Sequence, residues 1–327
     1  MQLSADFVSS PAEKQIPAFP RVFVVGAVNM DLSGTPFSSL RPGDSNSGRI
    51  MLSPGGVGRN IAENLARLGI SVSLLTVLGQ DHYGNIIREH CRMNRIDLSL
   101  SVTDQDYPTS TYLCVNEPNG DLHIAVSDMR ICDRLLPSVL TDAVPVLNQS
   151  DLVVLDANVP TETLVWLSQR VTVPLAADPV SVAKASRLKA ILPRITRLKP
   201  NVAEAEALTG ISVRDDSDLH LAADLLLSSG VQQVFLSMGE RGVLACDAQQ
   251  HIHLPCFESE VRNTTGCGDA FLAAVCTSYL KKDDLTTSAR KGLAAAAVCA
   301  AESGAVSVSL SSGMIDRFLE QHIRSSN

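Results

Sequence analysis

The stretch Asn263-Thr264-Thr265-Gly266-Cys267-Gly268-Asp269-Ala270-Phe271 places two glycines around one residue, an acid directly after them, and then an apolar run of helical character. Glycines let the backbone turn tightly and bare its N–H groups. A helix that begins there adds unsatisfied N–H groups and the positive end of its dipole. Such a site suits anionic oxygens. A carboxylate does not attract them, so Asp269 points to other chemistry, and accepting a proton is the work of a positioned carboxylate.

Four more segments carry candidate chemistry. Gly55-Gly56-Val57-Gly58-Arg59-Asn60 follows a short strand and opens a helix. It fails as a dinucleotide fingerprint, because Ile61 stands where the third glycine is required. No Gly-Lys dipeptide occurs in the chain, which excludes a P-loop. What remains is a glycine pair that brings backbone close to a ligand, with Asn60 and Asn64 one turn apart. Amides that donate and accept suit vicinal hydroxyls. Asn29 and Asp31 alternate just past the first strand, where open α/β sheets bind ligands, and Asp31 can accept two hydrogen bonds from a diol. In Lys199-Pro200-Asn201-Val202-Ala203-Glu204, Asn201 and Glu204 have the spacing of a capping box. Their oxygens also suit a phosphate-bound Mg²⁺ reached through water. Ser237-Met238-Gly239-Glu240-Arg241-Gly242 ends another strand with two glycines that let a nucleotide near the backbone.

These segments need a frame. Val22–Val25, Val72–Leu78, Leu152–Leu155, Val173–Ala177, Ile195–Leu198 and Val234–Ser237 read as buried strands, with helical stretches between most of them. That alternation predicts a parallel sheet with helices on both faces. Residues 32–53 and the hairpin Thr111–Asn116/Leu122–Val126, turning at Glu117–Gly120, break the rhythm. They predict a small separate sheet, a lid drawn from about 32–53 and 100–130. Residues 269–280, 286–303 and 313–324 read as helices. One domain over 21–325 fits better than two, with residues 1–20 as a loose N-terminal tail.

Of the 327 residues, 45% are hydrophobic and only 4% aromatic, which suits an aliphatic α/β core. A net charge of −8 argues against a nucleic-acid partner. No apolar run reaches the ~20 residues of a membrane span. Eight scattered cysteines without a C-x-x-C pair argue against zinc and for a reducing, cytoplasmic location. His251 and His253 alternate on what reads as an ordinary exposed strand face.

In this order, the Gly55–Asn60 and Thr265–Asp269 motifs resemble the two hallmark motifs of the PfkB/ribokinase family of small-molecule kinases, over about residues 21–310. The resemblance implies a ribokinase-like three-layer α/β sandwich with a mostly parallel sheet and a β-lid. It implies ATP as donor, Mg²⁺, and a nucleoside or sugar as acceptor. Asp269 would deprotonate the attacking hydroxyl, and the N–H groups of Gly266, Cys267 and Gly268 would form the anion hole. Asn29, Asp31, Gly55, Gly56 and Asn60 would hold the sugar, with Asp156 a further sugar-contacting acid. Asn46, Thr111 and Asp128 in the lid would read the rest of the acceptor. Asn201 and Glu204 would serve Mg²⁺ through water, and Ser237, Gly239 and Gly242 the nucleotide. Related lids pair between subunits, which implies a homodimer. The family usually has alanine at position 267 and often Asp at 263. Backbone donors do not need that alanine, whereas Asn263 for Asp removes a charge near a loop where Asn263 and Thr265 would meet a monovalent cation such as K⁺.

Overall fold

The computed structural model describes residues 21–325; the tail expected at 1–20 lies outside them. A nine-stranded sheet forms the centre. Its spatial order is His251–Leu254, Val243–Cys246, Gln233–Ser237, Ile195–Leu198, Leu175–Asp178, Leu152–Asp156, Arg21–Val25, Ser71–Leu75 and Ile96–Asp97. Pairing is parallel except at the first two junctions, which are antiparallel.

The period of two along each strand sorts side chains onto two cores. Phe23, Val25, Val153 and Leu155 pack on one side with Leu164, Leu167, Leu208 and Leu226. Val22, Val24, Leu152 and Val154 pack on the other with Ile61, Leu65, Leu272 and Ala273. The first core draws on the helices Thr161–Arg170, Val202–Thr209 and Asp216–Ser228. The second draws on Val57–Arg67, Cys267–Leu280 and Leu285–Ala300. Both strand faces are apolar because both are covered, which is why these strands read as continuous β-branched runs.

A separate four-stranded sheet has the order Gly48–Gly55, Asn29–Pro36, Thr111–Asn116, Leu122–Asp128. Its central pair is parallel and its outer pairs antiparallel. Asn29–Pro36 was not legible as a strand, since Ser33, Gly34 and Pro36 are poor strand formers.

The expected strand Val72–Leu78 is two. It breaks at Thr76, and Val77–Gly79 leaves the main sheet to pair with Val102–Asp104. The Thr76 backbone bonds out of line to the Ser101 hydroxyl and the Val102 N–H. Helix bounds also shift: the first C-terminal helix starts at Cys267, and the next ends at Ala300.

Candidate active site

At the carboxyl ends of the parallel strands, facing the small sheet, lies a cleft of about 380 Å³. Asn29, Asp31, Gly56, Asn60, Asn201, Glu204, Thr265, Gly266, Gly268 and Asp269 all line it. Segments up to 240 residues apart in sequence thus meet at the place open α/β sheets reserve for ligands.

Asp269 sits in the first turn of the Cys267–Leu280 helix and is 8% exposed. Its Oδ2 accepts a 2.7 Å hydrogen bond from Asn60 Nδ2. Burial, reinforced by the nearby Asp178 carboxylate, pushes its carboxyl up to about 7. The Asn60 bond and the charges of Lys199 and Arg59 oppose the rise without cancelling it. A base poised near neutrality is what proton transfer at physiological pH requires.

Beside it, Gly266 holds φ +81°, and a Cβ there would lie 1.8 Å from the Ala305 carbonyl oxygen. Only glycine fits. Among the described residues, the N–H groups of Gly266, Gly268 and Asp269 find no acceptor in the protein. The Cys267 N–H is turned inward to Thr264 O at 3.3 Å. The donors available to an anion are therefore Gly266, Gly268 and Asp269, and Cys267 drops out of the expected set.

Asn29 and Asp31 begin the first strand of the small sheet, and Asn29 Nδ2 donates to Asp31 Oδ1. Burial raises the Asp31 carboxyl, with Asn29 and the charge of Arg59 opposing. Gly55 lets that carboxylate approach, since a Cβ there would lie 2.1 Å from Asp31 Oδ2. Gly56, at φ +95°, turns the chain into the Val57–Arg67 helix against Ala27 and Val28.

Across the cleft, Asn201 and Glu204 complete the capping box. Glu204 N donates to Asn201 Oδ1 at 2.8 Å, and Asn201 N to Glu204 Oε2 at 2.9 Å. Each still faces the cleft, with Glu204 Oε1 unspent on the box. A parallel bridge joins Asn201 to Ser237, whose N–H bonds Pro200 O. Gly239 and Gly242 form the turn that follows, with φ +60° and +93°. These three extend away from the Asn201 side and do not line the cleft.

Several expected contacts are corrected. Asp156 is fully buried, its carboxylate taken by the N–H groups of Ala27 and Asn158. It fixes the turn after the first strand; Asn158, two residues on, faces the cleft. Asn46 closes its own loop through Arg41 and Asp44 and is exposed. Thr111 and Asp128 stand opposite each other, and Asp128 pairs with Arg130. Their neighbours Tyr112 and Ser127 line the cleft instead. Asn64 back-bonds to Asn60 O inside its helix. Asn263 Oδ1 accepts from the Thr265 N–H at 2.9 Å and its Nδ2 donates to Ser303 O at 3.0 Å, which fixes the carboxamide at the leading edge of the loop. No group of three or more His, Cys, Asp or Glu is arranged for a metal among the described residues.

Sequence reading missed the buried pair Lys199–Asp178, 3.1 Å apart. Lys199 Nζ lies under Gly268, where a Cβ would be 2.7 Å from it. It also missed Lys184, which donates to Asn158 Oδ1, and Met129. Asp178, Asn158 and Lys199 each end or follow a parallel strand, so the strand-end rule that found Asp31 could have found them. Val180 holds φ +68°, unfavourable for a β-branched residue. Asp178 Oδ1 secures it by accepting its N–H at 2.7 Å.

Residues 20–312 match the pfkB family carbohydrate kinase domain. The chain belongs to that family. It is 33% identical to the pseudouridine kinase of Escherichia coli (strain K12) over 262 residues, 79% of this chain and 83% of that one. A carbohydrate kinase from Agrobacterium tumefaciens superposes with a TM-score of 0.82 at 32% identity, covering 92% of this chain and 97% of the other. An Arabidopsis thaliana ribokinase, complexed with ribose and ATP, has the same fold, with a TM-score of 0.84 at 21% identity over 92% and 99% of the two chains. The fold is therefore the ribokinase-like α/β sandwich. The protein is a phosphotransferase of the sugar and nucleoside kinase type. No helix among the described residues is long and apolar enough to cross a membrane.

Proposed function

We propose that the protein transfers the γ-phosphoryl group of ATP to the 5′-hydroxyl of pseudouridine, giving pseudouridine 5′-phosphate and ADP in pseudouridine catabolism. The observation that carries the reading is Asp269: a buried carboxyl near neutrality, between Asn60 on one side and the free N–H groups of a helix N-terminus on the other. The pseudouridine kinase relative, matched over most of both chains, supports the choice of acceptor.

Asp31, Asn29 and Asn60 take the ribose and bring its 5′-oxygen to Asp269. Asp269 accepts the hydroxyl proton as the O5′–P bond forms and the bond to the leaving ADP oxygen breaks. Gly266, Gly268 and Asp269 N–H groups, with the helix dipole, stabilise the equatorial oxygens as charge spreads over them. Mg²⁺ would neutralise phosphate charge, and Glu204 and Asn201 would hold it through water. Ser237, Gly239 and Gly242 receive the nucleotide. Tyr112, Ser127, Asn158 and Lys184 are the polar groups left for the base.

The segments 32–53 and 100–130 act as a lid that excludes water from the cleft, limiting ATP hydrolysis. The lid's outer face also favours a homodimer. Tyr112 and Ser127 face the cleft, so Leu52, Leu113 and Val126 face away, with Leu113 47% and Val126 63% exposed, while Leu32 in the same row packs partly against the second core. Ile50 and Ile124, two residues further along, are exposed as well. An apolar sheet face of this kind invites a second copy. Eight free thiols fit a reducing cytoplasm.

A coupled ADP-release assay over pseudouridine, uridine, ribose, inosine and fructose tests the reading. Pseudouridine is expected to give the highest kcat/KM. A higher value for another acceptor overturns the substrate, and no turnover with any of them overturns the kinase mechanism at this site.

A further inference from the structure

Arg59 belongs to neither the acceptor contacts nor the anion hole, yet it is 3% exposed. It lies in the first turn of the Val57–Arg67 helix, where the dipole disfavours a cation. A buried ion pair is weak evidence of stabilisation. This placement therefore calls for another reason.

The hydrogen bonds supply one. Arg59 Nη1 donates to Glu63 Oε2 at 2.5 Å, and Nη2 donates to Pro54 O and to Asn60 Oδ1. Glu63 is in turn held by Arg67 at 2.7 Å and by His90 Nε2 at 2.7 Å. Burial pushes its carboxyl up, but His90, Arg59 and Arg67 together outweigh it and draw it down to about 2, so it stays charged and keeps Arg59 clamped. Asn60 is then bound at both ends. A guanidinium only donates and an ionised carboxylate only accepts. The amide oxygen must face Arg59, and the NH₂ must face Asp269.

We propose that Arg59, clamped by Glu63, is a positioning residue that fixes the Asn60 carboxamide so that its NH₂ holds the Asp269 carboxylate. Without Arg59, the Asn60 oxygen loses its donor and the amide is free to turn, setting an acceptor against the carboxylate. The groups facing Asp269 are Asn60 and Arg59 from this helix, Asp178 from the end of its strand, Lys199, and the thiols of Cys267 and Cys299. Losing the Asn60 bond and the Arg59 charge leaves Asp178 and burial to act on Asp269, opposed by Lys199 alone. The inference rests on Asp269 as the base.

The test uses the full chain carrying Arg59→Met, with Arg59→Lys as the conservative variant. Glu63 keeps Arg67 and His90 in either, so no buried charge is orphaned. The acidic limb of kcat is expected to move up by about one pH unit in Arg59→Met, a roughly tenfold loss on the acid side that recovers at alkaline pH. Arg59→Lys is expected to shift the limb too, because one ammonium cannot reproduce the planar fork that reaches Glu63 and Asn60 together. A uniform loss at all pH values, or wild-type behaviour of the lysine variant, overturns the proposal. A second readout needs no turnover. In protein with ¹³C-labelled aspartate carboxyls, the Asp269 signal, identified by its loss in Asp269→Asn, should titrate higher in both Arg59 variants. An unmoved titration overturns the positioning role. Failure to phosphorylate pseudouridine with the carboxyl shift intact would overturn the function alone.

Discussion

Replacing Asp269 with asparagine should cost activity and raise stability, and the second effect has a pH signature. The side chain keeps its shape and can still accept from Asn60. In the wild type the carboxyl rises from 3.8 to about 7 on folding, through burial and the Asp178 charge. A carboxyl raised in the folded state leaves stability whole below about pH 4 and removes it as pH climbs through the folded value. About three pH units at ~1.4 kcal/mol each set a ceiling of about 4 kcal/mol. Asparagine does not titrate. The stability difference between variant and wild type should therefore be small in acid and widen towards that ceiling by mildly alkaline pH. Denaturant melts of both proteins across that range measure it. Turnover should fall at least about 10²-fold with ATP binding kept. Near-normal turnover would refute the base, and parallel stability–pH curves would refute the raised carboxyl.

Four further outcomes follow from the same geometry. Asp31→Ala should raise the acceptor KM roughly 10- to 100-fold, the loss of a hydrogen bond to a charged group, and an unchanged KM removes Asp31 from the site. Gly266→Ala drives a Cβ to 1.8 Å from Ala305 O and should cut kcat at least about 10²-fold; Gly313→Ala, whose nearest atom is 3.5 Å away, is the silent control. Val126→Asp should convert a dimer to monomers in light scattering, and a wild-type protein that is already monomeric refutes the lid interface. Asp178→Asn removes the charge that raises Asp269 and frees Lys199 to act on it, so the acidic limb of kcat should move down; a limb that stays or rises refutes the account.

How far the sequence carried the site depends on what kind of signal each residue left. Asp31, Asn60 and Asp269 were legible as cleft residues because Asp31 opens the strand that follows Gly26, and Asn60 and Asp269 lie in the first turns of helices that begin after glycines. Asp156 was not, because nothing local distinguishes a strand's last residue, buried under Gly26, from the turn residue Asn158 that faces the cleft. In the lid the error was one of register. A strand alternates faces, so a shift of one residue exchanges Thr111 and Asp128 for Tyr112 and Ser127. The two cores were readable from composition and period. The Lys199–Asp178 pair was hidden, since its partners lie on adjacent strands whose pairing the sequence does not state.

The two buried cations around Asp269 explain why it can be a base at all. Lys199 and Arg59 are both close enough to lower it. A direct, unshared ion pair with either would hold an aspartate well below neutrality and leave a poor proton acceptor. Each cation instead has its own carboxylate, Asp178 for Lys199 and Glu63 for Arg59. Asp269 is left with a neutral amide as its one direct hydrogen-bond partner among the described side chains. The positive charge that the proposed phosphoryl transfer needs is thereby kept beside the proposed base without being spent on it. That division makes the acid of the Gly266–Asp269 loop compatible with the anion site it borders.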